Sequence, residues 1–314
     1  MKDQIAILGS LNQDLVLNVH RFPGPGETVS GQSIRMFCGG KGANQAFAVA
    51  RLGGRAVMIG QVGADSAGDA QIQSLQFAGV NVEHVRRIDG ESTGTAVIGV
   101  EESGENRIIV VPGANGSFSP EGVENARLVL TQSAALLVQL EVPLKTVSRA
   151  IELAHEAGAC VILDPAPAQG LPDTIFSQLD YLMPNLTELA CLSGDSLFED
   201  SSEDQIVRAA RKLCDRGVRK VIAKLGARGA MVVCSEAFHV VPAFSVAVVD
   251  TTGAGDCFTG AFATALISGA SEIDAGRFAA AAAAISVTRF GAQASMPSRD
   301  EVLLMLGEAQ SSHA

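Results

Sequence analysis

Val249-Asp250-Thr251-Thr252-Gly253-Ala254-Gly255-Asp256-Cys257-Phe258-Thr259-Gly260 is the most informative stretch of this 314-residue chain. An apolar run ends in an acidic residue, a loop with two glycines follows, and Asp256 then begins a helical pattern. Apolar residues recur there at intervals of three and four, as one buried helix face requires: Phe258, Ala261, Phe262, Ala265 and Leu266. The stretch predicts a glycine loop that leads into a helix N-terminus.

Such a loop can bind an anion. Its unpaired N–H groups and the positive end of the helix dipole would face the ligand, and the dipole would favour the ionised form of Asp256. Transfer of phosphate to a hydroxyl group needs these two parts, because the loop holds developing charge and the carboxylate takes a proton. A glycine turn with an Asp N-cap explains the same residues without a ligand. This stretch alone leaves both interpretations open.

The composition indicates a soluble, cytoplasmic α/β protein. Hydrophobic residues make up 47% of the chain, and the net charge of −11 argues against nucleic acid or an anionic membrane as the main partner. No apolar run reaches transmembrane length, and residues 1–20 lack the pattern of a signal peptide. The six cysteines include no CxxC pair and the five histidines show no metal-ligand spacing, so we expect reduced thiols.

Short apolar runs alternate with amphipathic segments, which predicts an open, mainly parallel sheet with helices on both faces. The predicted strands are Ile5–Leu8, Ala56–Ile59, Ala135–Leu140, Cys160–Leu163, Tyr181–Met183 and Lys220–Ala223. The predicted helices are Ala43–Leu52, Ala67–Phe77, Leu144–Glu156 and Asp204–Cys214, and the Ala279–Ala284 run indicates a closely packed helix. No repeat or low-complexity linker divides the chain, so residues 1–314 are expected to form one main domain.

Two insertions, at about 15–35 and 92–111, break this alternation. Polar and apolar residues alternate in both, around turns at Pro23-Gly24-Pro25-Gly26 and Ser103-Gly104-Glu105-Asn106. This pattern predicts half-exposed strands. We expect a small projecting β-sheet that acts as a lid or as a subunit interface.

Two polar motifs follow predicted strands, where ligands bind in open α/β sheets. In Gly9-Ser10-Leu11-Asn12-Gln13-Asp14, the side chains of Asn12 and Asp14 suit neighbouring hydroxyls of a polyol, although an Asx-rich turn explains them as well. In Gly39-Gly40-Lys41-Gly42-Ala43-Asn44, three glycines allow close approach to a ligand. The second motif lacks P-loop spacing, and no dinucleotide fingerprint follows the first strand.

Together these motifs resemble the paired signatures of the ribokinase-type carbohydrate kinases, the PfkB family. Gly39–Ala46 and Asp250–Phe258 carry the resemblance, which extends from about Ile5 to Pro297. Further motifs resemble the family in the same order: Gly9–Asp14, Glu91–Gly94, Gln139–Glu141, Pro165–Ala168 and Val287–Gln293. The resemblance implies a ribokinase-like fold and an ATP-dependent kinase that converts D-ribose to D-ribose 5-phosphate.

The resemblance also implies roles for individual residues. Asp256 would be the general base, and Gly253, Ala254 and Gly255 would form the anion hole for the transferring phosphoryl group. The other sugar hydroxyls would be held by six residues: Asn12, Asp14, Gly40, Lys41, Asn44 and Glu141.

On the nucleotide side, Asn185-Leu186-Thr187-Glu188 resembles the family element beside the ATP phosphates and hydrated Mg²⁺. A helix capping box explains the same four residues, and both interpretations can hold together. The remaining nucleotide contacts would be Lys224, Leu225, Gly226, Ala227, Arg228, Gly229, Gly255 and Ala280. Relatives often have a small hydroxyl residue in place of Lys224 and a polar residue in place of Ala280. The role of Lys224 and the base selectivity therefore stay open.

The resemblance further implies an activating K⁺ ion, bound largely through backbone carbonyls, and a homodimer formed through the β lid. The residues expected around the K⁺ ion are Asp250, Thr252, Ser286, Arg289, Gly291 and Ser295. The alternatives are a related kinase for 2-deoxyribose, a ketohexose or a nucleoside, and a non-catalytic sugar-sensing protein on the same fold. A nicotinamide dehydrogenase is disfavoured because the first strand leads into Asn12 and Asp14.

Overall fold

The structure is a computed structural model that describes residues 2–103 and 105–311. Residue 104, in the second predicted lid turn, lies outside the described residues, as do residues 1 and 312–314. The strands are β1 (Gln4–Leu8), β2 (Asn12–Val19), β3 (Gly31–Gly39), β4 (Arg55–Gly63), β5 (Asn81–Ile88), β6 (Gly94–Glu101), β7 (Asn106–Val111), β8 (Ala135–Val138), β9 (Cys160–Leu163), β10 (Tyr181–Leu182), β11 (Lys220–Lys224), β12 (Ala230–Val233) and β13 (Phe238–Val241).

The α-helices are α1 (Lys41–Arg51), α2 (Ser66–Phe77), α3 (Pro120–Glu124), α4 (Arg127–Gln132), α5 (Leu144–Glu156), α6 (Asp173–Phe176), α7 (Leu186–Ser193), α8 (Glu203–Asp215), α9 (Ala254–Ile267), α10 (Glu272–Ser286) and α11 (Arg299–Ser311). Short 3₁₀ turns lie at Gly113–Asn115, Gly226–Arg228 and Gln293–Ser295. Each predicted strand and helix is confirmed, with small differences at the ends.

Nine strands form the main sheet in the order β13-β12-β11-β10-β9-β8-β1-β4-β5. The strands from β11 to β5 pair in parallel, and β12 and β13 add an antiparallel edge. Residues of β1 alternate between two cores: Ile5 and Ile7 belong to one, and Ala6 and Leu8 to the other. This alternation places helices on both faces of the sheet, as the sequence predicts.

Helix α9 differs from the prediction in one respect. Every residue from Asp256 to Ala265 is buried, whereas Leu266 is only partly buried, so the helix is enclosed on all sides and not on one face alone. The enclosing helices are α1 and α10. The Ala279–Ala284 run belongs to α10 and is largely buried, as predicted.

The two insertions form a separate four-stranded sheet in the order β3-β2-β6-β7. Strands β2 and β6 pair in parallel, and the two outer pairs are antiparallel. The outer strand β7 is exposed along its whole length. We call this sheet the lid. The strands of the lid extend slightly beyond the predicted insertions. The first of them, β2, begins at Asn12, shortly after β1 ends at Leu8.

Across residues 2–103 and 105–311, none of the helices combines the length and the apolar character needed to cross a membrane. All six cysteines are free, and Cys257 is buried.

Candidate active site

The carboxyl ends of five adjacent parallel strands present the polar residues of the site. Along this edge, from β11 through β10, β9 and β8 to β1, the strands lead into Lys224, Asn185, Asp164, Glu141 and Asn12. The residues that the resemblance assigned to nucleotide and to sugar therefore lie at opposite ends of one row. Because parallel strands end at the same edge, positions far apart in the chain meet there.

A cleft of about 730 Å³ runs along the nucleotide end of this row. Its polar lining includes the carboxylates of Asp164, Glu188 and Asp256 and the ammonium groups of Lys41 and Lys224. One wall is apolar and comes from α10 and the segment before α9: Phe244, Val246, Val248, Ala280, Ala283, Ala284 and Val287. The cleft thus combines charged groups with an apolar wall, as a nucleotide requires.

The N-terminus of α9 opens into the cleft. Gly253 occupies the N-cap position with a φ of 75°, which favours glycine, and no side chain of the described residues caps the helix. Gly253, Ala254 and Gly255 line the cleft directly. The Ala254 N–H donates to the Thr251 carbonyl oxygen at 3.2 Å, so the next N–H groups of α9, those of Gly255 and Asp256, are the ones that can face an anion.

Asp256, in the first turn of α9, is held by side chains from α1. Its Oδ2 accepts a hydrogen bond from Asn44 Nδ2 at 2.9 Å, and its Oδ1 accepts one from Gln45 Nε2 at 3.2 Å. The Oδ1 of Asn44 is buried and has no hydrogen-bond partner within the part of the chain that the structure describes. A buried acceptor beside an anchored carboxylate leaves a place for a ligand hydroxyl.

Burial raises the pKa of Asp256, and the nearby Lys41 ammonium opposes that rise. The carboxylates around Lys41, chiefly Asp256, raise the pKa of Lys41 in turn. The sequence-based expectation that the helix dipole favours ionised Asp256 is thus opposed by burial, which favours the neutral acid. A carboxylate with a raised pKa is a stronger proton acceptor, which suits a general base.

The sugar-side residues lie where β1, α1 and β8 meet the lid. Asn12 Oδ1 accepts a hydrogen bond from Asn115 Nδ2 at 2.8 Å, and Glu141 Oε2 accepts one from the Lys41 backbone N–H at 3.0 Å. Asp14 lies against Gly39, where an added Cβ would be 2.1 Å from Asp14 Oδ2. Gly40 has a φ of 88°, and a Cβ there would be 2.7 Å from the backbone nitrogen of Asn12.

Asp14 is buried, and this burial, together with the charges of Glu141 and Asp256, raises its pKa to about 7. Lys41 acts in the opposite direction. Three carboxylates therefore surround one ammonium group on the sugar side. A hydroxyl-rich ligand, which both donates and accepts hydrogen bonds, suits this mixture.

On the nucleotide side, Asn185 and Glu188 form a complete capping box at the start of α7, and Glu188 lines the cleft as well. Lys224 points into the cleft, where its Nζ lies 2.8 Å from Asp164 Oδ1. Gly226, Ala227 and Gly229 of the same turn line the cleft, and Leu225 and Arg228 do not. The Arg228 guanidinium instead donates to the carbonyl oxygens of Glu199 and Ser201.

Asp250 links two of the residues expected around a monovalent cation, Thr252 and Gly291. Its Oδ1 accepts hydrogen bonds from the N–H and hydroxyl of Thr252, and its Oδ2 accepts one from the Gly291 N–H at 2.9 Å. Although burial favours the neutral acid, these hydrogen bonds lower the pKa of Asp250. The Arg289 side chain pairs with Glu301, and the Ser286 and Ser295 hydroxyls donate to nearby carbonyls.

Sequence reasoning missed a buried polar network beneath the site. Gln45 Nε2 donates to both Asp256 and Asp164, and Gln139 Nε2 donates to Gln45 Oε1 at 2.6 Å. Thr259 also donates to Asp164. Asp164 follows β9 at the same edge as Asn12 follows β1, so the strand-end rule could have found it. Gln45 lies within the Gly39–Ala46 motif, but the sequence assigned it no role of its own.

Comparisons with known proteins agree with this geometry. The model of the pfkB family of carbohydrate kinases matches residues 2–299. The chain is 42% identical to a ribokinase of Haemophilus influenzae over 98% of this chain and 100% of that protein. It is 38% identical to a deoxyribokinase of Salmonella typhi over 95% of this chain and 96% of that protein. The structure of Arabidopsis thaliana ribokinase complexed with ribose and ATP superposes with a TM-score of 0.92 at 35% identity, covering 98% of this chain and 99% of that one.

Proposed function

The chain belongs to the pfkB family of carbohydrate kinases, and we propose that it phosphorylates the 5-hydroxyl of D-ribose with ATP, giving D-ribose 5-phosphate and ADP. The observation that carries this proposal is the placement of Asp256. It lies at the uncapped N-terminus of α9, between the cluster of sugar-side residues and the cleft. Next to it, the buried Oδ1 of Asn44 can accept a hydrogen bond from a sugar hydroxyl.

The sugar would be oriented by the residues at the end of β1, in α1 and after β8. Carboxylates of Asp14 and Glu141 accept from its hydroxyls, and Asn12, Asn44 and Lys41 contribute amide and ammonium groups. Gly40 keeps the backbone close to the ligand, since a side chain there would collide with Asn12. With several hydroxyls fixed, the 5-hydroxyl is held next to Asp256.

In the reaction, Asp256 takes the proton of the 5-hydroxyl as its oxygen attacks the γ-phosphorus of ATP. The bond between the γ-phosphorus and the bridging oxygen breaks, and ADP leaves with that oxygen. Negative charge on the transferring group is stabilised by the N–H groups of Gly253, Ala254 and Gly255. The adenine would lie against the apolar wall beside Ala280, and Gly226, Ala227 and Gly229 would approach the nucleotide.

A divalent cation fits the residues on the nucleotide side. Among the described residues no three His, Cys, Asp or Glu side chains are grouped to hold a metal ion. Burial and, in part, the charge of Asp164 raise the pKa of Glu188, so these carboxylates would gain from a nearby cation. Mg²⁺ keeps most of its waters and binds phosphates; Asn185, Glu188 and Asp164 would hold those waters, and the ion would neutralise phosphate charge.

A monovalent cation, normally K⁺, fits the segments that Asp250 ties together. The hydrogen bonds from Thr252 and Gly291 to Asp250 bring the loop before α9 and the loop after α10 together beside the anion-hole residues. Both loops have backbone carbonyl oxygens that could bind a cation. Hard cations prefer such oxygen ligands. Backbone carbonyls near Ser286, Arg289 and Ser295 would complete the site, and the bound ion would order the start of α9.

The lid would cover the sugar and keep water from the phosphoryl group. It also carries exposed apolar side chains, including Ile34, Met36, Ile108 and Ile109. Pairing of two lids in a homodimer would bury these side chains. The cytoplasm, the location expected from the sequence, supplies the ATP that this reaction needs.

The resemblance to a deoxyribokinase makes 2-deoxyribose the second candidate substrate. The deciding experiment measures ADP release from Mg-ATP with ribose, 2-deoxyribose, ketohexoses and nucleosides, each with K⁺ or with Na⁺ alone. We expect the highest kcat/KM with ribose, raised by K⁺. A higher value with another sugar would overturn the substrate, and no turnover with any acceptor would favour the non-catalytic sugar-sensing protein.

A further inference from the structure

Lys224 is a partly buried cation beside the proposed anion hole. Its side chain is 13% exposed, and that of its partner Asp164 is 2% exposed. A Cβ placed on Gly255 would lie 3.7 Å from Lys224 Nζ. The ammonium group therefore lies at the first turn of α9, on the same side of the cleft as the N–H groups that face the transferring phosphoryl group.

The two lysines that line the cleft lie near different carboxylates, and Lys224 is the one on the nucleotide side. Among the described residues that line the cleft, these two lysines are the cations, against the three carboxylates of Asp164, Glu188 and Asp256. Lys41 is coupled mainly to Asp256. Lys224 forms an ion pair with Asp164, and its charge opposes the rise that burial causes in the pKa of Glu188. It is thus the cation of the nucleotide half, where a triphosphate adds several negative charges.

The position of Lys224 is fixed before any ligand arrives. Asp164 Oδ1 holds its Nζ, and Asp164 Oδ2 accepts hydrogen bonds from Gln45 Nε2 at 3.0 Å and Thr259 Oγ1 at 3.3 Å. Helices α1 and α9 therefore set the lysine rotamer through Asp164. A preorganised donor loses little freedom when it binds an anion.

We propose that Lys224 binds the terminal phosphates of the nucleotide, as a phosphate-binding residue in addition to the anion hole; this inference rests on the proposed use of ATP. A small hydroxyl residue at this position could donate one uncharged hydrogen bond. The ammonium group supplies three donors and a full positive charge, which makes a stronger bond to an anionic oxygen.

A different role would be purely structural, in which Lys224 only neutralises the buried Asp164. Replacing Lys224 alone would leave that carboxylate uncompensated and confuse the two roles. We therefore compare Asp164→Asn with the double variant Asp164→Asn/Lys224→Met, because these two proteins differ only in the lysine. Lys220→Met is the matched control, since Lys220 lies on the same strand but pairs with Glu272.

The measurement is the calorimetric Kd of ATP, ADP and AMP, each with and without Mg²⁺. Relative to Asp164→Asn, the double variant should bind ATP and ADP roughly tenfold to hundredfold more weakly, as expected for loss of a charged hydrogen bond, with AMP little changed. Lys220→Met should bind all three as the native protein does.

Equal weakening for the three nucleotides, or none, would overturn the proposal and leave Lys224 as the partner of Asp164. Retained folding is checked by thermal unfolding of each variant. The binding measurement does not involve the sugar. If the protein fails to phosphorylate ribose but the double variant still loses affinity for ATP and ADP and not for AMP, the proposed function is contradicted and the role of Lys224 is supported.

Discussion

Asn44 and Asp256 are 212 residues apart in the chain, and Asn44 Nδ2 donates a hydrogen bond of 2.9 Å to Asp256 Oδ2. This bond joins the two motifs that carry the family resemblance, one at the start of α1 and the other at the start of α9. Because both helices begin at the carboxyl edge of the sheet, the side chain that would hold the sugar also orients the carboxylate that would take its proton.

Asp256→Asn should abolish most of the turnover and leave binding intact. The amide keeps an acceptor for Asn44 but cannot take a proton, so kcat should fall by about 10²–10⁴-fold, the usual contribution of general base catalysis. Steady-state ADP release gives kcat, and calorimetry should show ribose and ATP affinities close to those of the native protein. Near-normal turnover would remove Asp256 from the role of base.

Gln45→Met should reduce both stability and kcat. The substitution removes the donor to the carboxylates of Asp164 and Asp256 and the acceptor of the Gln139 Nε2 group, and each unsatisfied buried group costs about 1–3 kcal/mol. Urea unfolding measures the loss, and kcat should fall more than KM rises because Gln45 acts through Asp256. Gln73→Met, at an exposed position of α2, should change stability by less than about 0.5 kcal/mol. Equal effects of the two substitutions would contradict this role.

Gly260→Ala should destabilise the protein although alanine favours helix. A Cβ at this position would lie 2.8 Å from Ala48 Cβ and 3.0 Å from the Gln45 carbonyl oxygen, so α1 and α9 would have to separate. Overpacking of this kind costs about 1–3 kcal/mol, which exceeds the gain of about 1 kcal/mol from helix propensity. Kcat should fall as well, since Asn44 would move away from Asp256.

The matched control is Gly307→Ala in α11, where an added Cβ meets no atom of residues 2–103 and 105–311 within 4 Å. There the helix propensity of alanine should raise the midpoint of thermal unfolding. A rise in that midpoint for Gly260→Ala too would show that the contact between α1 and α9 tolerates a methyl group.

The raised pKa of Asp14 predicts a pH dependence of stability and of sugar binding. Its folded pKa of about 7 exceeds the ordinary value of 3.8, so between these pH values the folded protein binds more protons than the unfolded one. The corresponding stability is present below about pH 4 and is lost as the pH rises through 7. We expect the free energy of unfolding, measured in urea without ligand, to decline over that range.

Ribose should bind more tightly as the pH rises through 7, since the ionised Asp14 carboxylate accepts hydrogen bonds from hydroxyls. Binding at pH 6.5 should then release protons, which calorimetry detects in buffers of different ionisation enthalpy. Asp14→Asn should remove both dependences. An affinity of the native protein for ribose that stays constant from pH 5.5 to 8 would contradict the prediction. The same would follow if Asp14→Asn kept the pH dependence of the native protein.

Local patterns in the sequence were sufficient to predict the main sheet, its helices and the separate lid sheet. Alternating apolar runs and amphipathic segments predicted the parallel sheet and its helices, because burial on both faces of a strand and on one face of a helix leaves distinct periodicities. The glycine loop before Asp256 predicted an open helix N-terminus, and the structure has one. The two polar-apolar alternating insertions predicted the separate lid sheet.

Contacts between distant segments were decided by the tertiary structure alone. The enclosure of α9 on all sides depends on α1 and α10 packing against it, which no pattern within α9 encodes. The Asp164–Lys224 pair joins residues 60 apart in the chain, and Gln45 reaches Asp164 across 119 and Asp256 across 211. The raised pKa of Asp256 follows from the same cause: local sequence showed a helix dipole that favours the charge, and only the fold removes the water that would solvate it.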